Sequence, residues 1–474
     1  MRLIVVFFLV SISLQAQFFA PVYSNSVAKY NLIVDYDFQN PTSYAGTGTS
    51  VASANGKNVP ATLNGTSPTF FEDPGYVRFL PANNNYLMVG DLKNFYPQVT
   101  SATRSGVFTL SLWFNPTGQS GVLASDLWSS TINSGYHTSD IEMVNGYLNF
   151  AVWPRNTYIT TASTVSLNTW HHVVLTYTGS KVIAYLDGAL VGSATYTRVG
   201  PAMGSLTDSQ YFGIGATDGT NFGSGAYGNF LLGNVKFYSS SLSAAEINQI
   251  YRDEKTKYDL SFMLDAGNTS SYPGSGTTWY DISGAAKTAT NGAGTTYNAA
   301  GGGSMYYNGT STGLTNFTFD VNGTTTITIE MWVKWNASMN GMFLGFNTYD
   351  VWTYTGGLGY NSGNSDLYGI SATQATNLGL LGNWRHYIFV MNSGSYLNNK
   401  IYINGVGQTM TQIAASQLAS SVNFNSGLGT IGQWRASTSF PNQMYVSKFK
   451  IYNRELTQAE ITAKFNKDKA RHGL

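Results

Sequence analysis

The chain has 474 residues, no cysteine and a formal net charge of +1, and only 10% of its residues are charged. This length exceeds the roughly 100–200 residues of a typical domain and predicts two domains. Cysteine-based metal sites, disulfides and thiolate nucleophiles are excluded. A near-neutral chain with no basic run before its C-terminal tail also argues against binding to nucleic acid.

The first 24 residues are predicted to be a secretory signal peptide or an uncleaved N-terminal anchor. Arg2 precedes an apolar run, residues 3–10, which is shorter than the roughly 20 residues of a membrane span. Cleavage after Ala16 or Ser24 would release the mature chain. We therefore expect an exported protein, with membrane contact only through this segment if it stays uncleaved.

Residues 25–253 and 254–474 are predicted to be two copies of one β-domain. Strands recur in the same order, because apolar and polar side chains alternate as they do when one face of a sheet is buried. The matching pairs are Tyr30–Phe38 with Tyr258–Asp265, and Val107–Phe114 with Thr326–Trp335. The second of these strands carries Trp113 in one copy and Trp332 in the other, and both are predicted to be core residues.

A hairpin follows in each copy. Trp170-His171-His172 matches Trp384-Arg385-His386, and both tryptophans are predicted to lie in the core. The hairpins close on Asp187-Gly188 and Asn404-Gly405, which are sequences that tolerate the positive φ angles of a tight turn. Adjacent histidines on a strand point to opposite faces, so His171 and His172 are predicted to serve the scaffold and not a shared metal.

Each copy is predicted to end in a short helix. The helices begin at capping boxes, Ser243 with Glu246 and Thr457 with Glu460, in which each side chain bonds the backbone of the other. Residues 252–257 are predicted to be a charged linker, and residues 467–474 a solvated end. The fold class is therefore all-β: two tandem β-sandwiches, each ending in a short α-helix.

The ordered motifs resemble those of a known family. A strand with Glu330-Met331-Trp332 or Ser111-Leu112-Trp113, the Trp-x-His strand, the hairpin and the closing helix occur in both copies. Together they resemble the laminin G-like domains of the concanavalin A-like lectin/glucanase superfamily, above all those of phage and large-virus structural proteins and bacterial surface proteins. The resemblance implies a concanavalin A-like jelly roll in each copy. It also implies carbohydrate recognition as a tendency, and a location on a virion or cell surface.

Sugar binding needs aromatic rings that can stack on the sugar, beside polar groups that bond its hydroxyls. The loops that differ between the copies supply the predicted ligand-binding residues, since variable loops on a shared scaffold usually carry the contacts. These residues are Trp128, Tyr136, Trp153, Tyr349, Trp352, Tyr354 and Tyr360.

Calcium is the candidate cofactor, because it binds six to eight oxygens from carboxylates and carbonyls and lectin-like sandwiches often bind it in their rim loops. The predicted ligands are loop aspartates: Asp126, Asp140, Asp208, Asp218, Asp350 and Asp366. None of them shows the spacing of an EF-hand loop, and a solvated turn carboxylate is the alternative for each.

Enzymatic activity is not expected. The glucanases of the superfamily carry Glu-x-Asp-x-Glu on one strand, whereas this chain has Thr138, Asp140 and Glu142 at that spacing. A threonine hydroxyl cannot replace the nucleophilic carboxylate of a retaining glycosidase. The predicted function is a non-enzymatic adhesion protein that binds glycans or glycosylated surfaces. The alternatives are a structural virion or surface-layer component that assembles through protein–protein contacts or self-association, and a glycoside hydrolase.

Overall fold

A computed structural model describes residues 31–71, 75–90, 107–127, 139–152, 158–195, 211–217, 227–321, 323–336, 340–346, 349–361, 366–414, 427–435 and 439–474. In these residues the chain forms four antiparallel sheets, two in each copy of the repeat. The all-β prediction with two tandem sandwiches is therefore confirmed.

Two sheets form the first sandwich. Its elements are β1 (Leu32–Asp37), β2 (Ser50–Val51), β3 (Ala61–Asn64), β4 (Thr69–Phe71), β5 (Tyr76–Phe79), β6 (Tyr86–Val89), β7 (Phe108–Pro116), β8 (Gly121–Leu127), β9 (Ser139–Val144), β10 (Tyr147–Phe150), β11 (Ile159–Thr160), β12 (His171–Tyr177), β13 (Lys181–Leu186), β14 (Ala189–Thr195), β15 (Tyr211–Ile214), β16 (Phe230–Tyr238) and α1 (Ala244–Lys255). The back sheet has the order β14-β13-β12-β7-β16-β5-β4, with β1 also paired to β16. The front sheet has the order β11-β10-β9-β8-β15-β6-β3-β2.

The second sandwich repeats this plan. Its elements are β17 (Leu260–Asp265), β18 (Thr278–Tyr280), β19 (Thr288–Asn291), β20 (Thr295–Asn298), β21 (Ser304–Asn308), β22 (Thr315–Phe319), β23 (Thr326–Trp335), β24 (Gly341–Gly345), β25 (Asp350–Tyr354), β26 (Gly357–Asn361), β27 (Leu367–Ile370), α2 (Ala372–Asn377), β28 (Trp384–Asn392), β29 (Lys400–Ile403), β30 (Val406–Gly407), β31 (Thr411–Ala414), β32 (Gly427–Ile431), β33 (Gln443–Tyr452) and α3 (Gln458–Asp468). Its back sheet runs β20-β21-β33-β23-β28-β29-β30, with β17 paired to β33, and its front sheet runs β18-β19-β22-β32-β24-β25-β26-β27-β31.

The core of each sandwich lies between its two sheets. Along β23, alternate apolar residues from Ile327 to Val333 are fully buried in the core of the second sandwich, as the alternation predicts. The hairpin turns also follow the sequence. Asp187 and Asn404 have φ angles of 51° and 49°, which is the left-handed region that Asn and Asp tolerate.

The terminal helices begin at the predicted capping boxes, and both hydrogen bonds of each box are present. Ile247 and Ile250 of α1 pack on the outer face of the first back sheet, which holds the helix against its sandwich. No helix within the described residues, which begin at residue 31, is both long and apolar enough to cross a membrane.

The prediction of a charged linker at residues 252–257 is wrong. Arg252 to Lys255 form the last turn of α1, and a 3-10 turn, Thr256–Tyr258, follows. Glu254 is buried, accepts a hydrogen bond of 2.8 Å from Trp113 Nε1 and forms an ion pair with Lys236. The sequence suggested a solvated linker because it does not reveal the buried partners of these charged residues.

The prediction of a solvated C-terminal end is wrong as well. A 3-10 turn, Lys469–His472, folds back, and His472 stacks on Trp332 with 3.8 Å between ring centroids. Tyr258 makes the corresponding contact with Trp113, at 4.4 Å. Trp113 and Trp332 are buried, as predicted, beneath the segment that follows each terminal helix.

The two sandwiches share an apolar interface. A buried cluster joins Tyr76 and Leu231 of the first sandwich to Met263, Ile282 and Ile461 of the second. A hydrogen bond crosses the same interface: the hydroxyl of Tyr76 donates to the carbonyl oxygen of Ile282 at 2.9 Å. The contact between the sandwiches is therefore well packed as well as hydrogen-bonded.

Candidate functional site

A groove with a volume of about 790 Å³ lies where the two sandwiches meet. The first sandwich contributes residues 167–171, Asp187 and the end of α1. The second contributes Ser283, Ala285, Lys287, Asp320, Val321, Gly323 and Thr324. This volume lies in the range of about 300–1,000 Å³ that is usual for ligand sites. The groove is a composite site, since neither sandwich forms it alone.

Aromatic rings form part of the groove wall. Trp113 stacks on Tyr258 and, at 5.7 Å and an interplanar angle of 11°, on Tyr251. Trp170 packs against Tyr258 with 4.7 Å between centroids. Trp113 and Tyr258 are buried, whereas Trp170 and Tyr251 are partly exposed. The two partly exposed rings therefore supply the apolar surface that a ligand can reach.

Trp170 is held by both sandwiches. It precedes β12 and follows a turn in which Asn168 has a φ of 55°. Its ring lies 5.7 Å from the ring of Tyr76, and its Nε1 donates to the carbonyl oxygen of Ser283 at 3.5 Å. The prediction that Trp170 and Trp384 are core residues is corrected, because both are partly exposed. Aligning the two repeats did not reveal the role of Trp170, because only the first copy has the other sandwich opposite this tryptophan.

Polar groups stand beside these rings. His171 Nδ1 lies 2.8 Å from Asp187 Oδ2, and Asp187 Oδ1 accepts a hydrogen bond of 2.9 Å from the backbone N–H of His172. In the second sandwich Asn404 Oδ1 makes the equivalent backbone contact, to His386. The amide oxygen of Asn404 is therefore enough to hold this hairpin in the second sandwich. The first sandwich alone has a second carboxylate oxygen here, that of Asp187, which faces His171.

Ser166 completes a Ser–His–Asp arrangement, with Oγ 2.9 Å from His171 Nε2. The same Nε2 lies 3.2 Å from the carbonyl oxygen of Ser166. His171 therefore joins the carboxylate of Asp187 to both oxygen atoms of Ser166. The arrangement fixes the loop that carries Trp170 and presents hydrogen-bonding groups to the groove.

Several predicted site residues lie outside the described residues. They are Trp128, Tyr136, Trp153, Asp208 and Asp218. Asp126 lies in β8, but its side chain is also outside the description.

Three of the remaining predicted sugar-binding rings are buried, which corrects the expectation that they are exposed. Tyr349 and Tyr360 belong to the core of the second sandwich, and Trp352 is 2% exposed. Tyr360 donates its hydroxyl to the carbonyl oxygens of Val390 and Lys400. A ring with no exposed face cannot stack on a sugar. Tyr349 and Tyr360 fill the sandwich interior, as aromatic residues often do, and Trp352 is covered within a smaller cluster with Met342 and Leu367.

Tyr354 is the predicted ring that stays partly exposed. It stacks on Trp352 with 4.6 Å between centroids, on the outer face of the second front sheet. The groove lies elsewhere, so the structure does not bring Tyr354 together with Trp170 and Tyr251.

The described aspartates that were predicted to bind calcium are buried: Asp140, Asp350 and Asp366. Asp350 accepts hydrogen bonds from Phe346 N at 2.6 Å and from Asn361 Nδ2 at 3.3 Å. Burial raises its pKa to about 7, whereas a calcium ligand must be ionised. Within the described residues, no three His, Asp or Glu side chains are grouped as metal ligands. Asp350 therefore does not fit a calcium site.

The carboxylates considered for hydrolysis are closed to solvent. Asp140 and Glu142 lie on β9 and are 2% and 0% exposed. A glycosidase needs its two carboxylates on either side of an accessible sugar bond. The geometry of this pair favours a protein that does not hydrolyse glycans.

Comparisons with known proteins agree with the fold. A laminin G-type family profile, described as concanavalin A-like lectin/glucanases superfamily, matches residues 82–248 and 308–462. No curated protein matches the chain.

Three solved structures illustrate the similarity. Domain 4 of AbnA, an extracellular arabinanase of Geobacillus stearothermophilus in complex with arabinotriose, is 14% identical over 46% of this chain and 98% of that chain, with a TM-score of 0.34. A heptameric SAP-like pentraxin from Limulus polyphemus is 15% identical over 33% and 79%, with a TM-score of 0.24. A structure of botulinum neurotoxin type C, whose cell entry depends on interaction with two ganglioside molecules, is 11% identical over 89% and 99%, with a TM-score of 0.38. These similarities are too distant to assign a function.

Proposed function

This chain belongs to the concanavalin A-like lectin/glucanases superfamily, and from that premise we propose that it binds a glycan, without hydrolysing it, in the groove between its two sandwiches. The observation that carries the proposal is the pairing of two partly exposed rings, Trp170 and Tyr251, with polar side chains in one groove of about 790 Å³.

The chemistry of the groove suits a sugar. A sugar ring has an apolar face of C–H groups and a rim of hydroxyls, so it binds where a flat aromatic surface lies beside hydrogen-bonding groups. Trp170 and Tyr251 offer such surfaces, and Asp187 and Asn168 line the same groove. Asn and Asp oxygens accept hydrogen bonds from hydroxyl groups, and the Asn amide also donates.

The proposal includes a location. An exported protein on the surface of a virion or cell, acting as an adhesin, would present this groove to glycosylated surfaces. Residues 1–24, which carry the predicted signal or anchor, lie outside the described residues. Detection of the protein on intact particles or cells by antibody would support this location, and recovery only from the cell interior would contradict it.

Thr169 provides a direct test, because it lines the groove and is exposed. We expect Thr169→Trp to fill the groove and to weaken binding to any glycan found on an array by at least about tenfold, equivalent to about 1.4 kcal/mol. Thr169→Ala is the matched control, since it removes the same hydroxyl without adding bulk, and it should bind nearly as the wild type does. Full binding by Thr169→Trp would exclude the groove as the site.

The same array, repeated with a chelator, tests the calcium proposal. Loss of binding on chelation would show that recognition needs a metal and would justify replacing the loop aspartates, and unchanged binding would exclude a metal from recognition. If the folded protein binds no glycan at all, the proposed function fails. A shift to oligomers in sedimentation would then favour the assembly role.

A further inference from the structure

Three residues on the outer face of the first back sheet, here termed the first row, hold the second sandwich: Trp170, Asn115 and Leu231. Asn115 and Leu231 are paired across β7 and β16, and Trp170 directly precedes β12. Trp170 Nε1 donates to the carbonyl oxygen of Ser283 at 3.5 Å, and Asn115 Nδ2 donates to that of Gly284 at 3.0 Å. The first row therefore binds a loop of the second sandwich through backbone carbonyl oxygens, which every residue carries.

The second sandwich has a row in the same place. Lys334 pairs with Trp384 on one side and with Tyr445 on the other, across β28, β23 and β33. These three residues, the second row, follow the same order across their sheet as the first row, and all are partly exposed. Within the described part of the chain, neither Lys334 Nζ nor Trp384 Nε1 makes a hydrogen bond. The second row therefore has donors at the two positions from which the first row donates.

The loop that the first row holds has a counterpart as well. The second loop spans residues 281–285, and the first loop spans residues 53–57. In each loop the first side chain accepts a hydrogen bond of 2.8 Å from a backbone N–H of the strand that opens the sandwich. The third side chain accepts one from the backbone N–H two residues later, at 3.0 and 3.2 Å. A glycine with a positive φ follows in both, 76° for Gly56 and 100° for Gly284. Residues 55–57 are exposed, so the first loop has the shape of the second and lies open on the surface.

The second row and the first loop differ from the first pair in apolar area. Ile282, which packs in one cluster with Leu231, corresponds to the smaller Ala54 in the first loop. Tyr445 stands in the place of Leu231 and adds a ring on the side of the row. Two separate chains also lack the effective concentration that a short link gives to two domains. We therefore expect a contact of the same geometry but of low affinity.

We propose that the second row binds the first loop of a second copy of this chain, so that copies associate head to tail. Such an interface is heterologous, because each copy presents a row to one neighbour and a loop to another, and it builds rings or open chains. This inference is independent of the proposed glycan binding, since the glycan groove lies against the first row.

Sedimentation of the purified protein at concentrations up to about 1 mM tests the proposal, because weak contacts are populated only at high concentration. We expect the weight-average mass to rise with protein concentration and to pass that of a dimer. Salt at about 0.5 M, which screens the repulsion between Lys57 and Lys334, should favour the larger species. A wild type that stays monomeric throughout would overturn the proposal.

Gly56→Asn tests the loop. No atom lies within 4 Å of a Cβ at this glycine, and Asn tolerates the left-handed region, so we expect the fold to be kept. In the bound loop the new side chain would collide with the row, as a Cβ at Gly284 meets Asn115 Nδ2 at 2.9 Å. This variant should therefore stay monomeric. Gly48→Asn is the matched control, because Gly48 has a φ of 79° and equally open space in the same sandwich, and it should associate as the wild type does.

Tyr445→Glu tests the row. It removes the ring and places a carboxylate opposite the carbonyl oxygens of the loop, and its partly exposed position accepts a charged side chain. We expect this variant to stay monomeric too. Tyr147→Glu is the matched control: Tyr147 is 39% exposed and lies on β10 of the first front sheet, and its replacement should leave association unchanged.

A mixture of the two blocked variants separates head-to-tail contact from other association. Gly56→Asn keeps an intact second row and Tyr445→Glu keeps an intact first loop, so an equimolar mixture should form dimers and nothing larger. A mixture that stays monomeric, or association of either variant alone, would overturn the proposed contact. A monomeric wild type that loses glycan binding in Tyr445→Glu would assign the second row to a sugar and would also overturn it.

Discussion

Asp350 illustrates how burial changes a single carboxyl group. Its pKa is raised to about 7 by burial, above the value of an unfolded chain. The folded protein therefore keeps a proton that the unfolded chain loses. The stability that this group contributes is fully present below about pH 4 and is lost as the pH rises through about 7.

Replacing Asp350 by asparagine tests this effect. Asn cannot ionise, so the stability of the wild type relative to Asp350→Asn should fall by up to about 4 kcal/mol from pH 4 to pH 8, at about 1.36 kcal/mol for each unit of pKa shift. Urea unfolding of both proteins at several pH values measures this difference. A difference that stays constant with pH would show that Asp350 ionises normally in the folded protein.

The last turn of each terminal helix carries a buried carboxylate, Glu254 in α1 and Asp468 in α3. In α1, Glu254 pairs with Lys236, whose only other acid within the described residues, Asp35, is 3.8 Å away. In α3, Asp468 pairs with Lys448 at 2.9 Å, and Asp265 lies 3.4 Å from the same lysine. If the acid on the helix is replaced, Lys448 therefore keeps a closer carboxylate than Lys236 does.

Two variants compare these elements. We expect Glu254→Gln to destabilise the protein by about 3–5 kcal/mol, because it leaves a buried lysine without its main partner. Asp468→Asn should cost less, since Asp265 remains close to Lys448. Denaturant unfolding measures both, and Asp253→Asn, on the exposed face of α1, should stay within about 0.5 kcal/mol of the wild type. Equal costs for the two buried acids would contradict the comparison.

At the scale of the whole molecule, the main feature is the interface between the two sandwiches, because the groove forms where they meet. Gly284 lies in this interface with a φ of 100°, and a Cβ there would meet Asn115 Nδ2 at 2.9 Å and Leu231 Cδ1 at 3.0 Å. Asn115 Nδ2 also donates to the carbonyl oxygen of Gly284 at 3.0 Å. A side chain at this position would therefore push the sandwiches apart.

Gly284→Ala tests the interface against a matched glycine. Gly274 has a φ of 93° and no atom within 4 Å of its Cβ position, so Gly274→Ala measures the backbone strain alone. We expect Gly284→Ala to cost about 1–3 kcal/mol more than Gly274→Ala, which is the range of steric overpacking, and to weaken glycan binding. Equal unfolding midpoints would show that the interface adapts without cost.

Local features of the chain were determined by the sequence. The repeat, the alternation along β23, the turns at Asp187 and Asn404 and the capping boxes all depend on residues close together in the chain. Such features follow from backbone sterics and from side-chain periodicity, which are readable without knowing the neighbouring elements.

The candidate site was decided by the tertiary structure. Trp170 has a local sequence similar to that of Trp384, but it lines the groove because a second sandwich stands opposite it. Packing of distant segments also decided two other outcomes. It buries Tyr349, Trp352 and Tyr360, and it pairs Glu254 with Lys236. Whether an aromatic or charged side chain meets solvent, core or ligand depends on surfaces that are distant in sequence. Those surfaces come together only when the sandwiches form and pack.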